Sequence, residues 1–181
     1  DSETKLTRNT GFYERTSKLT RNFVDARGFW LPNDYTKHGI INEHTACREK
    51  AVVIDLSSLR KFEILGPDAE ELMNYTLTRN VKKLSVGQVV YSSMCYENGT
   101  MFDDGTLLKL SDHGFRWVCG DEYAGQWLKD QAKKKNYKVL IKDSTDQINN
   151  ISLQGPNSRK ILEKIIFTPP TQPSISELQW F

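Results

Sequence analysis

A chain of 181 residues can bury one or two small cores, and 38% hydrophobic with 27% charged residues is the composition of a globular protein, not of a disordered or fibrous one. A formal net charge of +2, with acids and bases interspersed, lacks the concentrated basic face of a nucleic-acid binder, and the longest central apolar run, "AVVI", is far too short to cross a bilayer. Neither nucleic acid nor membrane is therefore expected as a partner. Cys47, Cys95 and Cys119 show no CxxC or Cys/His spacing, so no metal site is expected; an odd count fits free thiols in a reducing, cytoplasmic compartment.

Up to about Lys37 the chain is rich in Thr, Arg and Asn and shows no clear period. "GFWLPNDY" (Gly28 to Tyr35) is predicted as an ordered loop that packs its rings. "INEHTACREK" predicts a helix to about Glu49, and "VVID" a buried strand or turn at Val52 to Asp55. "RKFEILG" alternates and places Phe62 and Ile64 on one strand face. In "GPDAEELMNYTL", Gly66 ends the strand and Pro67 suits a first helical turn. Asp68, Glu70 and Glu71 favour the positive end of the helix dipole, while Leu72, Met73 and Leu77 supply an apolar stripe.

"GQVVYSSMCY" predicts a strand, "ENG" a hairpin turn whose two central residues take positive φ, and "TMFDDGTLLKL" the returning strand. After "SDHG", "FRWVCG" is a further strand. "DEYAGQWLKDQAKKK" is a helix that Asp121 can cap, with Tyr123 and Trp127, then Leu128 and Ala132, four residues apart. The basic "KKKNYK" is a solvated helix end, and "YKVLIK" a closing strand. The order predicts an α+β domain with a mainly antiparallel sheet and helices on one face. "ISLQGPNSRKIL" echoes "FEILGPDAEELM", each a strand, a Gly-Pro turn and a helix. Then "FTPPTQPSISELQWF" reads as a proline-rich linker before a final strand. The opening "DSETKL" without an initiator Met, and the close on "ELQWF", predict a piece of a longer protein.

Two adjacent acids, Asp103 and Asp104, sit inside the returning strand. Neighbours on a strand point to opposite faces, so the pair is not a shared-proton dyad. Continuation of the strand would put Phe102, Asp104, Thr106 and Leu108 on one face and Met101, Asp103 and Gly105 on the other. One acid then meets solvent and the other a pocket or core. The residues alone leave open whether "DDG" is a bulge near the hairpin end or holds a reactive group.

The run from "AVVIDLSSLRKFEILGPDAEELMNYTLTRNVKKLSVGQVVYS" through "ENGTMFDDGTLLKL", with "GFWLPNDY" before it and "ISLQGPNSRKIL" after it, resembles the aminomethyltransferase (T-protein) family of the glycine cleavage system and its folate-dependent demethylase relatives. The resemblance implies a ferredoxin-like domain over residues 59–143, with residues 1–58 and 144–181 forming part of a first folate-binding domain. It further implies a tetrahydrofolate-dependent aminomethyl or methyl transferase with Asp104 as the catalytic carboxylate. Tyr91, Leu59, Thr106, Leu108 and Val118 match positions that line the family's folate pocket. The partners implied are a small methylated amine or sulfonium compound, or a lipoyl-carrier protein. The sequence departs from the pattern at Ser58-Leu59, where His-Met is usual, and at Gly99-Thr100, where Gly-Gly is usual. It departs again at Gly105, a Leu in the glycine-cleaving enzymes, and at Gly120, a pocket Asn. These changes keep the acid but alter the donors around it, and "RWVCGDEYAGQWL" looks more like the demethylase and methylated-amine branches. The alternative reading is a non-catalytic folate-binding relative with a regulatory or assembly role; such relatives usually lack the acid pair that is present here.

Overall fold

The computed structural model describes residues 6–180. In chain order the elements are β1 (Arg8–Asn9), α1 (Tyr13–Thr16), β2 (Phe23–Ala26), β3 (Phe29–Pro32), α2 (Gly39–Glu49), β4 (Val52–Asp55), β5 (Arg60–Leu65), α3 (Ala69–Thr76), β6 (Val89–Cys95), β7 (Met101–Ser111), β8 (Gly114–Cys119), α4 (Tyr123–Lys135), β9 (Leu140–Asp143), β10 (Ile151–Gln154) and α5 (Ser158–Ile165). The architecture is α+β. It divides into two compact units, one formed by the chain up to Ser58 together with Asn149–Trp180, the other by Leu59–Ile148.

The second unit holds a five-stranded antiparallel sheet in the order β6-β7-β8-β5-β9. Strand alternation sends Phe62, Ile64, Met94, Leu107, Phe115 and Trp117 to one face, where they pack with Ala69, Leu72 and Met73 of α3 and Ala124, Leu128 and Ala132 of α4 in a single core. Both helices therefore lie on one face, as the sequence pattern predicts, and the unit has one strand more than a β-α-β-β-α-β motif. Pro67 stands in the turn before α3, and Asp68 accepts the Lys138 N–H at 2.7 Å, tying the helix start to the approach to β9. Glu70 pairs with the nearly buried Lys109 of β7 at 2.6 Å, and Glu71 with Lys82 at 2.6 Å. Just before α4 the Asp121 carboxylate accepts the Tyr123 N–H at 2.8 Å, an Asx turn one residue ahead of the N-cap position, which Glu122 and not Asp121 occupies.

The first unit contains a three-stranded sheet, β1-β3-β2, and an antiparallel pair, β10-β4. "GFWLPNDY" is not a loop: Phe29–Pro32 form β3, hydrogen-bonded to β2 and β1, and Phe29 is buried. Pro32 is tolerated because it ends the strand. β4 is a strand as predicted but not a buried one, since Val53 is 56% and Ile54 44% exposed in a sheet of only two strands. No closing strand forms among the described residues at "ELQWF". Ser174 and Glu177 make a reciprocal capping box that winds Ile175–Glu177 into a 3-10 turn, and Phe181 lies outside the described residues.

The two Gly-Pro segments are alike in geometry as well as in sequence. β5 leads through Gly66 into α3, and β10 through Gly155 into α5, with φ of +137° and +120°. A Cβ on Gly66 would stand 2.5 Å from the Lys138 carbonyl oxygen, and one on Gly155 2.6 Å from that of Lys50. In each case the crowding backbone is the link from a helix to the neighbouring antiparallel strand, α4 to β9 or α2 to β4. Only glycine accepts both the backbone angle and the approach.

Candidate functional site

The site is built on the β6–β7 hairpin. The Asn98 side chain accepts from the Thr100 N–H at 3.1 Å and its hydroxyl at 2.7 Å, and of the two central residues only Gly99 takes positive φ, not both as expected. An Asx turn at Asn98 thus fixes the tip. Beyond it the ladder contains a bulge: Cys95 faces Met101 and Met94 faces Asp103, so Phe102 is the extra residue. The bulge falls one residue before the acids, which themselves lie in register, Asp103 opposite Met94 and Asp104 opposite Ser93.

That bulge corrects the predicted face of Phe102. Its ring packs with Tyr96, Trp127 and Tyr123, at centroid separations of 4.8, 5.4 and 5.8 Å, and so joins the helix-covered side. It does not share the face of Asp104. Unbroken alternation would have put it there; an extra residue shifts the phase by one.

The two acids do different work. Asp103 is not a solvent-facing residue. Its Oδ1 accepts from the Asp104 N–H at 2.9 Å and the Gly120 N–H at 3.3 Å, and its Oδ2 from the Asp121 N–H at 3.0 Å. It anchors the turn from β8 into α4. Nearby, Cys119 is buried, and burial together with the Asp103 charge pushes its thiol pKa up, which removes it as a nucleophile at neutral pH. Asp104 projects from the opposite face and accepts the Tyr91 hydroxyl through Oδ2. Tyr91 lies diagonally across the hairpin, since it pairs with Thr106 while Ser93 pairs with Asp104, a spacing that a tyrosine spans. The hydrogen bond to Asp104, more than desolvation, raises the pKa of Tyr91, because ionising the phenol would place two anions together. Among the described residues Asp104 Oδ1 takes no hydrogen bond.

The matched lining positions fall around this pair. Tyr91, Thr106 and Val118 form one cross-strand row over β6, β7 and β8, and Lys61 of β5 completes it. Leu108 lies one step along the same face, opposite Val89 and Arg116. Leu59 stands just before β5, two residues from Lys61, and its carbonyl accepts the Lys61 ammonium at 2.8 Å. Lys61 is 1% exposed, a member of the row that sequence reasoning missed: a lysine at an alternating strand position looks solvated, and nothing local signals otherwise. The face is an amphipathic strip with one carboxylate, apolar in Leu108 and Val118 and aromatic in Tyr91, which is 47% exposed. It is separate from a cavity of about 220 Å3 between α3, α4 and the end of β6, lined by Tyr75, Cys95, Tyr96, Trp127 and Gln131 among others.

Comparison with known proteins bears on this geometry. The family described as GCVT N-terminal domain matches residues 12–178. Trimethylamine-oxide aldolase of Ruegeria pomeroyi is 51% identical over 181 residues, which is 100% of this chain and 23% of that protein. Aminomethyltransferase of Symbiobacterium thermophilum is 33% identical over 164 residues, 87% of this chain and 43% of its own length. The crystal structure of glycine cleavage system aminomethyltransferase T from Bartonella henselae superposes with a TM-score of 0.74 at 25% identity, over 87% of this chain and 43% of that one. The chain spans less than half the length of each of these relatives. With the family match running over most of the chain and the fold in agreement, the chain belongs to the GCVT N-terminal domain family.

Proposed function

We propose that the open face of the β6–β7–β8 sheet binds tetrahydrofolate and that Asp104 serves a one-carbon transfer to it. The observation that carries this reading is the Tyr91–Asp104 contact on a strip otherwise floored by Thr106, Leu108 and Val118. The residues fit a reduced folate: Asp104 Oδ1 is open to an amine N–H, and the strip offers an aromatic ring and apolar side chains to a flat heterocycle. When bound, tetrahydrofolate supplies a secondary amine that accepts the one-carbon unit. Asp104 accepts a hydrogen bond from that amine region and stabilises positive charge that develops during transfer. Tyr91 holds Oδ2 and so aims the other oxygen outward. Val118 and Leu108 exclude water from the contact. As to the donor, 51% identity to a trimethylamine-oxide aldolase supports a small methylated amine over the glycine-derived, lipoyl-carried unit.

The test uses the complete protein. Asp104→Asn keeps the shape and is expected to bind tetrahydrofolate within a fewfold of wild type. Transfer from a methylated amine should fall by about 100-fold or more, the scale of losing one preorganised electrostatic group. Unchanged turnover removes Asp104 from the mechanism; folate binding without turnover in the wild-type protein, across methylated amines and sulfonium compounds, favours the non-catalytic alternative.

A further inference from the structure

The face that carries Asp104 also carries a cation to which the proposal above gives no role. Arg116 pairs with Leu108 and alternates with the buried Phe115 and Trp117, so it leaves the sheet on the Asp104 side. Its Nε donates to Glu63 Oε1 at 2.6 Å, and the same oxygen accepts the Ser144 hydroxyl at 2.9 Å. Glu63 is the better buried of the pair, 14% exposed against 27% for Arg116. The guanidinium is therefore held by one edge. Its two terminal nitrogens make no hydrogen bond among the described residues and are not sealed from solvent. An oriented guanidinium with a vacant N–H fork matches a carboxylate in two-point geometry.

Register fixes which carboxylate could arrive there. Asp104 lies four residues along β7 from Leu108, the partner of Arg116, so the two functional groups stand about 13 Å apart along the strand. Between them lie Thr106, Val118 and Leu108. A ligand that offers an amine to Asp104 and lays an aryl ring across Thr106 and Val118 brings an amino acid attached to that ring to Arg116. We infer that Arg116 binds the glutamyl carboxylate of tetrahydrofolate and sets the preference of this face for the glutamylated over the tail-less cofactor. The inference rests on the folate reading of the same face. Because Glu63 already neutralises the guanidinium, the gain comes from short-range paired hydrogen bonds and not from long-range attraction.

The experiment compares the dissociation constants of tetrahydrofolate and tetrahydropteroate, which lacks the glutamate, for the complete wild-type protein, Arg116→Leu and Arg116→Lys. Wild type is expected to prefer tetrahydrofolate by about tenfold or more, the range of a charge-assisted hydrogen bond. Arg116→Leu should abolish the preference by weakening tetrahydrofolate alone, and Arg116→Lys, which keeps the charge but not the fork, should retain only part of it. A preference that survives in the Leu variant, or an equal loss for both compounds, overturns the assignment and leaves Arg116 as a strut for Glu63. If the Leu variant does not fold, by circular dichroism, a Lys variant with the whole preference intact overturns it. Wild-type protein that binds neither compound refutes the folate reading itself, a different result from loss of selectivity.

Discussion

Asp103 and Asp104 are chemically identical neighbours whose surroundings assign them opposite duties. Asp103 holds three backbone N–H groups, so Asp103→Ala should cost about 1.5–3 kcal/mol in chemical denaturation, the net worth of a hydrogen bond to a charged acceptor. Asp104 holds no backbone of another segment, so its loss should act on turnover far more than on stability. Tyr91 reports on this second acid. Its phenol keeps its proton to a higher pH than an ordinary tyrosine, because the hydrogen bond to Asp104 favours the neutral form. The contribution of that bond is fully present below the usual tyrosine range, near pH 10, and is lost as pH rises through the elevated folded value. In Asp104→Asn the titration of Tyr91, followed by NMR of ring-labelled protein, should move down toward the ordinary value; no movement would show that the contact does not form in solution. Sequence spacing separated the two acids onto opposite faces. It could not say that the inner one would be met by Gly120 and Asp121, because those N–H groups arrive from another strand end.

Among the elements, β7 is shaped by one residue more than its partner needs. The bulge at Phe102 turns an aromatic ring toward α4 and leaves Asp104, Thr106 and Leu108 in phase on the other side. Gly105 sits between the acid and that row, opposite Cys119, and a Cβ there would fall 2.1 Å from the Val118 carbonyl oxygen. β7 and β8 thus run closer at this point than a side chain allows. Gly105→Leu, the residue expected in glycine-cleaving relatives, should force the strands apart, destabilise the second unit by about 2 kcal/mol or more, and displace Asp104. A thermal midpoint equal to wild type would contradict the close approach. Gly66→Ala and Gly155→Ala should each be comparably damaging, by backbone angle and by contact with the Lys138 and Lys50 carbonyls. The Gly-Pro echo was readable as a string, but its cause, a helix-to-strand link crossing over each glycine, is a tertiary fact.

Across this chain, which spans less than half the length of its relatives, the buried hydrophobics are unevenly shared. Every residue of the hydrophobic core lies between Phe62 and Ala132, in the second unit, whereas Phe29 is the one buried hydrophobic of the core class in the described part of the first. Amide hydrogen exchange of this 181-residue chain should therefore be slowest in β5, β7, β8, α3 and α4, and faster by orders of magnitude in β4, β10 and α5. Uniform protection across both units would refute this division. The sequence by itself determined the elements of the second unit, because a two-residue period, a 3.6-residue period and an Asn-Gly turn are local signals that packing there reinforces. It marked Asp104 as a residue apart through alternation and resemblance. It misjudged β3, the burial of β4 and the "ELQWF" segment, where two short sheets and a capping box outweigh weak local pattern. What only the tertiary structure decided is how the groups on the face of Asp104 are placed: Tyr91 reaches it across the hairpin, Val118 and Arg116 lie along the next strand, and Lys61 on a third. Register between strands distant in sequence is set by the fit of a shared core, and no single strand carries that information.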